Sequence, residues 1–136
     1  MTYTTQEKHS LLGQLIKMAL IDKKLKQEEL AFVTKVSERL EIDKEDLHHM
    51  IKSPDNIKLE TPRNFTKRII HFHKLMLMMH IDGHVDKKEL QFLHEVALKY
   101  GFRKSVVDAL LESMKSYPHG EIPPSELLQI HSSQNN

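Results

Sequence analysis

The sequence predicts an all-α fold of six or seven helices, built as two related three-helix units that pack as one bundle. Apolar residues recur at helical spacing along most of the 136 residues, with few alternating stretches. Glycine occurs only four times and tryptophan is absent. The chain also repeats at a spacing of 60 residues, and nine of the thirty pairs between 15–44 and 75–104 are identical. A repeat that keeps the apolar spacing indicates that one helical unit is built twice.

The repeat predicts a single domain over 1–136, with units at about 4–52 and 61–116 and a C-terminal tail at 117–136. A unit of about 60 residues is small for a self-sufficient core. We therefore expect the two units to pack on each other and to share one core.

The first unit begins with a capping box, in which Thr4 and Glu7 satisfy each other's backbone N–H groups. Helix one runs to about Asp22, and helix two follows after a charged turn. Asp43 is a favourable N-cap, which predicts a short third helix over 44–52.

The second unit begins at Thr61-Pro62, where a cap is followed by proline at the first helical position. Helix four is the most apolar segment of the chain and ends at Asp82-Gly83. Its main apolar stripe consists of Phe65, Ile69, Phe72, Met76 and Met79. A helix that is apolar on most sides is expected to be central and buried.

Three further segments complete the second unit and the tail. Helix five starts with a capping box of Asp86 and Glu89 and ends at a glycine cap, Gly101. Helix six is predicted over 103–116 and a last short helix over 125–131. Residues 132–136 are predicted to be a disordered tail.

Composition excludes several classes of function. Twenty basic and nineteen acidic residues give a net charge of +1, which lacks the electrostatics of a nucleic-acid binder. The absence of cysteine excludes disulfides, thiolate metal sites and a cysteine nucleophile. No stretch approaches the ~20 apolar residues that cross a bilayer, and the first residues are not a signal peptide. We expect a cytoplasmic protein that binds neither nucleic acid nor membrane.

The turn between helices four and five carries the clearest chemistry. Asp82, Gly83, Asp86 and Glu89 match the second half of an EF-hand loop, in which oxygen ligands hold a divalent cation. The first half fails because Met78 stands where an oxygen ligand is required. The turn is thus a candidate site for Ca²⁺ or Mg²⁺, but not a true EF-hand.

The first unit repeats two of these acids as Asp22 and Glu29. Lys23 replaces the glycine and Lys26 replaces Asp86, so the first turn is the weaker cation candidate. Both sets of acids also have a structural interpretation, as helix caps and turn residues. The first-unit acids are alternatively expected to pair with lysines of the other turn.

Two histidines flank the second acidic turn. His80 and His84, together with Asp82, provide ligand types that suit zinc or nickel. The two imidazoles share a face only if the helix continues through Gly83, which a glycine turn disfavours. A histidine on an apolar helix is more often a hydrogen-bonded core or surface residue, and we interpret His71 and the pair His48-His49 as incidental.

The chain resembles the tellurite-resistance TerB-like domain family over about residues 8–116. The resemblance lies in Ile21-Asp22 followed by Glu29-Leu30, and in the segment from Ile81-Asp82-Gly83 through Asp86 to Glu89-Leu90. It implies an all-α bundle, a bacterial cytoplasmic protein and a stress-response or protein-interaction role without a defined catalytic reaction. Asp82, Asp86 and Glu89, with Asp22 and Glu29, match the acidic positions of the family.

Three functions follow in order of preference. The first is a non-enzymatic TerB-like module, a monomer or weak homodimer, that binds a protein partner and is modulated by a cation at the acidic turn. The second is a metal-binding or metal-sensing protein that uses that turn with His80 or His84 and Ca²⁺, Mg²⁺ or Zn²⁺. The third is a metal-dependent hydrolase built on the same acids and histidines. An exposed apolar groove favours the first, and converging ligands favour the second.

Overall fold

The computed structural model describes residues 2–81 and 83–134, so the predicted ligand Asp82 lies outside the described residues. Within these ranges the chain is all-α, as the sequence predicts, and contains no strand. Its seven α-helices are α1 (Thr5–Ala19), α2 (Gln27–Arg39), α3 (Lys44–Lys52), α4 (Phe65–Met79), α5 (Lys87–Tyr100), α6 (Lys104–Met114) and α7 (Pro124–Gln134). No helix of the described chain is long and apolar enough to span a membrane.

Helix boundaries follow the 60-residue register of the sequence. Helices α4, α5 and α6 each begin 60 residues after α1, α2 and α3. The left-handed backbone positions follow the same register: Lys23 and Gly83 have φ of 65° and 75°, and Glu41 and Gly101 have φ of 59° and 79°. Corresponding turns therefore have the same local conformation, although only the second unit uses glycine there.

The core lies around the pair α1 and α4, which pack directly on each other. Helix α2 packs on α1 and α5 packs on α4, so each unit adds its second helix to the central pair. The largest fully buried side chains come chiefly from α1 and α4: Leu11, Leu12, Leu15, Ile16, Met18, Ile69, Phe72, Leu75, Met76, Met78 and Met79. Burial of this apolar surface is the main stabilising contribution. The predicted central position of helix four is confirmed.

Polar contacts also join the two units. The Lys67 ammonium lies 2.9 Å from Glu7 Oε1, so the first turns of α1 and α4 meet. The Tyr100 hydroxyl donates a hydrogen bond of 2.9 Å to Gln14 Oε1 inside the core. Each of these contacts links a residue of the first unit to a residue of the second.

The segment after the third helix of each unit crosses back over the first helix of that unit. In the first unit the Ser10 hydroxyl bonds both the N–H and the C=O of Glu60, at 2.8 and 2.9 Å. In the second unit His73 Nε2 lies 3.0 Å from Gly120 O and 3.3 Å from Ile122 N. The imidazole donates to the first or accepts from the second, depending on its tautomer.

Three predicted boundaries are wrong or shifted. Helix four begins at Phe65, not at Thr61-Pro62, because the Asn64 side chain caps it by accepting from Lys67 N–H at 3.0 Å. Helix one ends at Ala19 because the chain then turns towards the left-handed Lys23. Helix six is shorter than predicted at both ends.

The predicted C-terminal tail is wrong in a more important way. Residues 132–134 belong to α7, and only 135–136 lie outside the described residues. Ile122 and Leu127 are buried in the core, and the His131 ring lies 4.5 Å from the Phe65 ring. Helix α7 packs on α4 and α6 and forms part of the domain.

Candidate functional site

The capping box predicted in the acidic turn of the second unit is present. Asp86 Oδ1 accepts a 2.7 Å hydrogen bond from Lys88 N–H, and Asp86 N–H donates to Glu89 Oε1 at 3.2 Å. Glu89 is buried. Both acids therefore satisfy helix N–H groups, which is the structural role expected at this position.

The first unit has the same arrangement at its own turn. Lys26 N–H donates to Glu29 Oε1 at 3.1 Å, and Glu29 is also buried. Asp22 is exposed and accepts from Lys24 N–H at 3.1 Å. Glu29 thus repeats the position and the backbone hydrogen bond of Glu89, whereas Asp22 is a turn residue.

Residues of both units act electrostatically on the buried Glu89. Burial raises the pKa of Glu89 above its ordinary value, and the nearby carboxylates of Glu29 and Asp86 raise it further. The Asp86 N–H and the Lys26 ammonium act in the opposite direction and lower the pKa. Lys26 of the first turn thus acts electrostatically on Glu89 of the second turn.

The two histidines of the predicted metal site lie on either side of the left-handed Gly83. His80 Nδ1 lies 2.8 Å from Met76 O, so this nitrogen is engaged with the backbone of α4. His84 is exposed, beyond Gly83, where the backbone is left-handed. Within residues 2–81 and 83–134, no three histidine or acidic side chains are placed to hold a metal ion.

The described surface carries a large apolar groove beside this turn, which we name the α4–α6 groove. It has a volume of about 680 Å³ and lies between α2, the end of α4, α6 and the turn at 118–121. Its lining residues are Phe32, Lys35, Leu77, His80, Ile81, Leu111, Met114, Lys115, His119, Gly120 and Glu121. The groove is open to solvent and floored by partly buried apolar side chains.

A second cavity of about 430 Å³ extends the α4–α6 groove towards the acidic turn. The two cavities share His80, Leu111 and Lys115. The extension is lined by Val85 and Leu90, of which Val85 is 39% exposed. The acidic turn therefore forms one end of a continuous apolar surface.

The methionines contribute little to this apolar surface, although Met114 lines the groove and Met79 lines its extension. Met76, Met78 and Met79 are at most 1% exposed, and Met114 is 7% exposed. The apolar part of the groove comes mainly from Phe32, Leu77, Ile81 and Leu111, and the groove combines four segments that are distant in the sequence. No local pattern could have revealed it.

His71, interpreted from sequence as incidental, is a core residue that is 1% exposed. Its ring stacks on Tyr3 at 5.4 Å, and its Nε2 has no hydrogen-bond partner among the described residues. Burial, followed by the nearby Lys74, lowers its pKa to about 4. The repeat contained a signal, because His71 aligns with the apolar Leu11.

Comparison of the chain with models of protein families, with curated proteins and with solved structures finds no match.

Proposed function

We propose that the chain is a non-enzymatic, TerB-like cytoplasmic module that binds a protein partner in the α4–α6 groove. The observation that carries this proposal is the groove itself, an open and partly apolar cavity of about 680 Å³ on the described surface. Large exposed apolar surfaces on soluble domains typically mark binding sites. The resemblance to the TerB-like family supports an interaction role and a stress-response context.

The test is affinity capture from cells that produce the tagged full chain. Leu77 lines the groove, and its counterpart in the first unit is Lys17, so α4 should accept Leu77→Lys. Leu98 is 82% exposed on α5, outside the groove, and Leu98→Lys is the matched control. Circular dichroism and thermal unfolding establish that both variants fold.

We expect the wild type and Leu98→Lys to recover equal amounts of one partner protein. Folded Leu77→Lys should recover at least tenfold less of it. A lysine forced into an apolar interface leaves an unpaired charge there. Equal recovery with all three proteins, or no partner with any of them, would argue against the proposal.

A second candidate function is cation binding at the acidic turn, and one observation favours it. Both glutamates are buried, and after burial itself the charge of Glu29 helps to raise the pKa of Glu89, so a bound cation would relieve this repulsion. Thermal unfolding of chelator-treated protein with Ca²⁺, Mg²⁺, Zn²⁺ or Ni²⁺ tests it. A cation that binds, at a free concentration of 100 times its dissociation constant, should increase the free energy of unfolding by about 2.7 kcal/mol.

The same measurement on Glu89→Gln tests whether this glutamate is needed for the response to a cation. Glu95→Gln, on the exposed side of α5, is the control. A cation site predicts that Glu89→Gln loses the response while Glu95→Gln keeps it. If no cation stabilises the wild type, the acids act only as caps. Glu89→Gln should then raise the stability at neutral pH, because it removes a buried charge that Glu29 also disfavours.

A further inference from the structure

The charges along the α6 side of the α4–α6 groove are matched on their own helix. Lys104 Nζ lies 3.8 Å from Asp108 Oδ2, and Lys115 Nζ lies 3.0 Å from Glu112 Oε2. Asp108, Glu112 and Lys115 all line the groove or its extension. A partner therefore needs no particular charge on this side.

On the α2 side of the groove, the basic residue has no such ion pair within the described part of the chain. Lys35 is exposed, forms no ion pair with any described residue, and follows Phe32 by one helical turn. The acid of the turn at 118–121, Glu121, lies within electrostatic range of His73 and Lys74 of α4. Lys35 therefore lies at the rim of the groove without an ion-pair partner among the described residues.

The shape of the surroundings indicates the kind of partner. The groove is bounded by helices, and the described chain has no strand edge to which a peptide could be added as a further strand. Helix-in-groove binding places apolar side chains of one helical face on the floor and leaves polar side chains at the rim.

We propose that the groove binds an amphipathic helix of another protein, whose apolar face covers Leu77 and Leu111 and whose acidic residue pairs with Lys35. This inference rests on the function proposed above and adds the chemistry of the partner. An exposed ion pair contributes modestly, so we expect the charge on the partner to change affinity by about fivefold.

The experiment uses two synthetic amphipathic peptides with the same apolar face, one with glutamate and one with lysine at the edges of that face. Fluorescence anisotropy measures their binding to the full chain and to Lys35→Glu. Lys99→Glu is the matched control, because Lys99 is exposed on α5 and lines neither part of the groove. Leu77→Lys tests whether binding occurs in the groove.

We expect the wild type and Lys99→Glu to prefer the glutamate peptide, and Lys35→Glu to weaken that peptide about fivefold and favour the lysine peptide. Equal affinity of both peptides, or an unchanged preference in Lys35→Glu, overturns the acidic-helix inference. If Leu77→Lys then still abolishes binding, the groove remains a docking site. If neither peptide binds, or if folded Leu77→Lys binds both as the wild type does, the inference and the proposed use of the groove both fail.

Discussion

The imidazole of His71 lies in the core between the ring of Tyr3 and the charges of Lys74, Lys67 and Glu7. Burial and the two lysines disfavour its protonated form, whereas Glu7 favours it, and the pKa falls to about 4. In the unfolded chain a histidine titrates near 6.5. Between these values the unfolded state binds more protons, so stability decreases as the pH falls from about 6.5 to about 4.

We predict that the wild type loses about 2 kcal/mol between pH 7 and pH 5 through His71 alone. His71→Leu, which introduces the residue of the first unit, should remove this part of the pH dependence. Urea unfolding at a series of pH values measures it, with the exposed His48→Gln as control. An unchanged pH slope in His71→Leu would show that His71 is already protonated or solvated in the fold.

In the first unit, two residues adopt a backbone conformation that favours glycine. Lys23 and Glu41 have φ of 65° and 59°, where Gly83 and Gly101 stand in the second unit. A side chain with Cβ in this region is strained by about 1 kcal/mol or more. The same turn conformation is therefore formed by glycine in the second unit and by a residue with a side chain in the first.

We predict that Glu41→Gly increases the free energy of unfolding by about 0.5 to 1 kcal/mol, because the relief of strain exceeds the entropy cost of glycine. Gly101→Ala, at the corresponding turn, should decrease it. Chemical denaturation of both variants provides the measurement. A loss of stability in Glu41→Gly would mean that the side chain contributes more than the strain costs.

At the scale of elements, the linker between the units lies against α1 at Gly13. A Cβ atom on this residue would overlap Cγ2 of Ile57 and contact Cδ2 of Leu59 at 3.4 Å. The hydrogen bonds between Ser10 and Glu60 hold the linker in place one turn earlier on α1. Gly13 lies within α1, where the helical backbone does not require glycine. The absence of a side chain therefore matters because it allows the linker to approach the helix closely.

We predict that Gly13→Ala destabilises the fold by about 1 to 3 kcal/mol despite the higher helix propensity of alanine, because it displaces the linker. Ile57→Ala removes the overlapping methyl group, so the double variant should be less destabilised than the sum of the single ones. Thermal unfolding of the wild type, the two single variants and the double variant provides the data for this double-mutant cycle. Strict additivity would contradict the proposed contact.

At the scale of the molecule, the two units are joined by a shared apolar core and by polar contacts of different kinds. Glu7 with Lys67, and Gln14 with Tyr100, connect the units through hydrogen bonds. Separation of the units would expose the apolar faces of both α1 and α4, which pack on each other. The bundle is thus expected to fold as one cooperative domain.

We predict that fragments 1–60 and 61–136 have no cooperative unfolding transition on their own, because each loses the partner of its most apolar helix. An equimolar mixture should regain helical structure at high concentration. Circular dichroism with temperature measures both outcomes, with the intact chain as reference. A sigmoidal transition in either isolated fragment would contradict the shared-core interpretation.

The sequence by itself determined the helical class, the register of 60 residues and the capping boxes at Thr4 and Asp86. These features depend on residues within one or two helical turns, so local patterns are sufficient to predict them. The N-terminal boundary of α4 was missed because the Asn64 cap replaces the more familiar signal at Thr61-Pro62.

Only the tertiary structure decided which polar residues are buried and where an apolar surface remains open. For His71 only the alignment with Leu11 pointed to burial, and α7 is part of the core because Phe65 and Phe102 provide a surface for it. The α4–α6 groove combines α2, α4, α6 and the turn at 118–121. Burial and surface shape depend on contacts between residues that are distant in sequence, and periodicity along the chain does not encode those contacts.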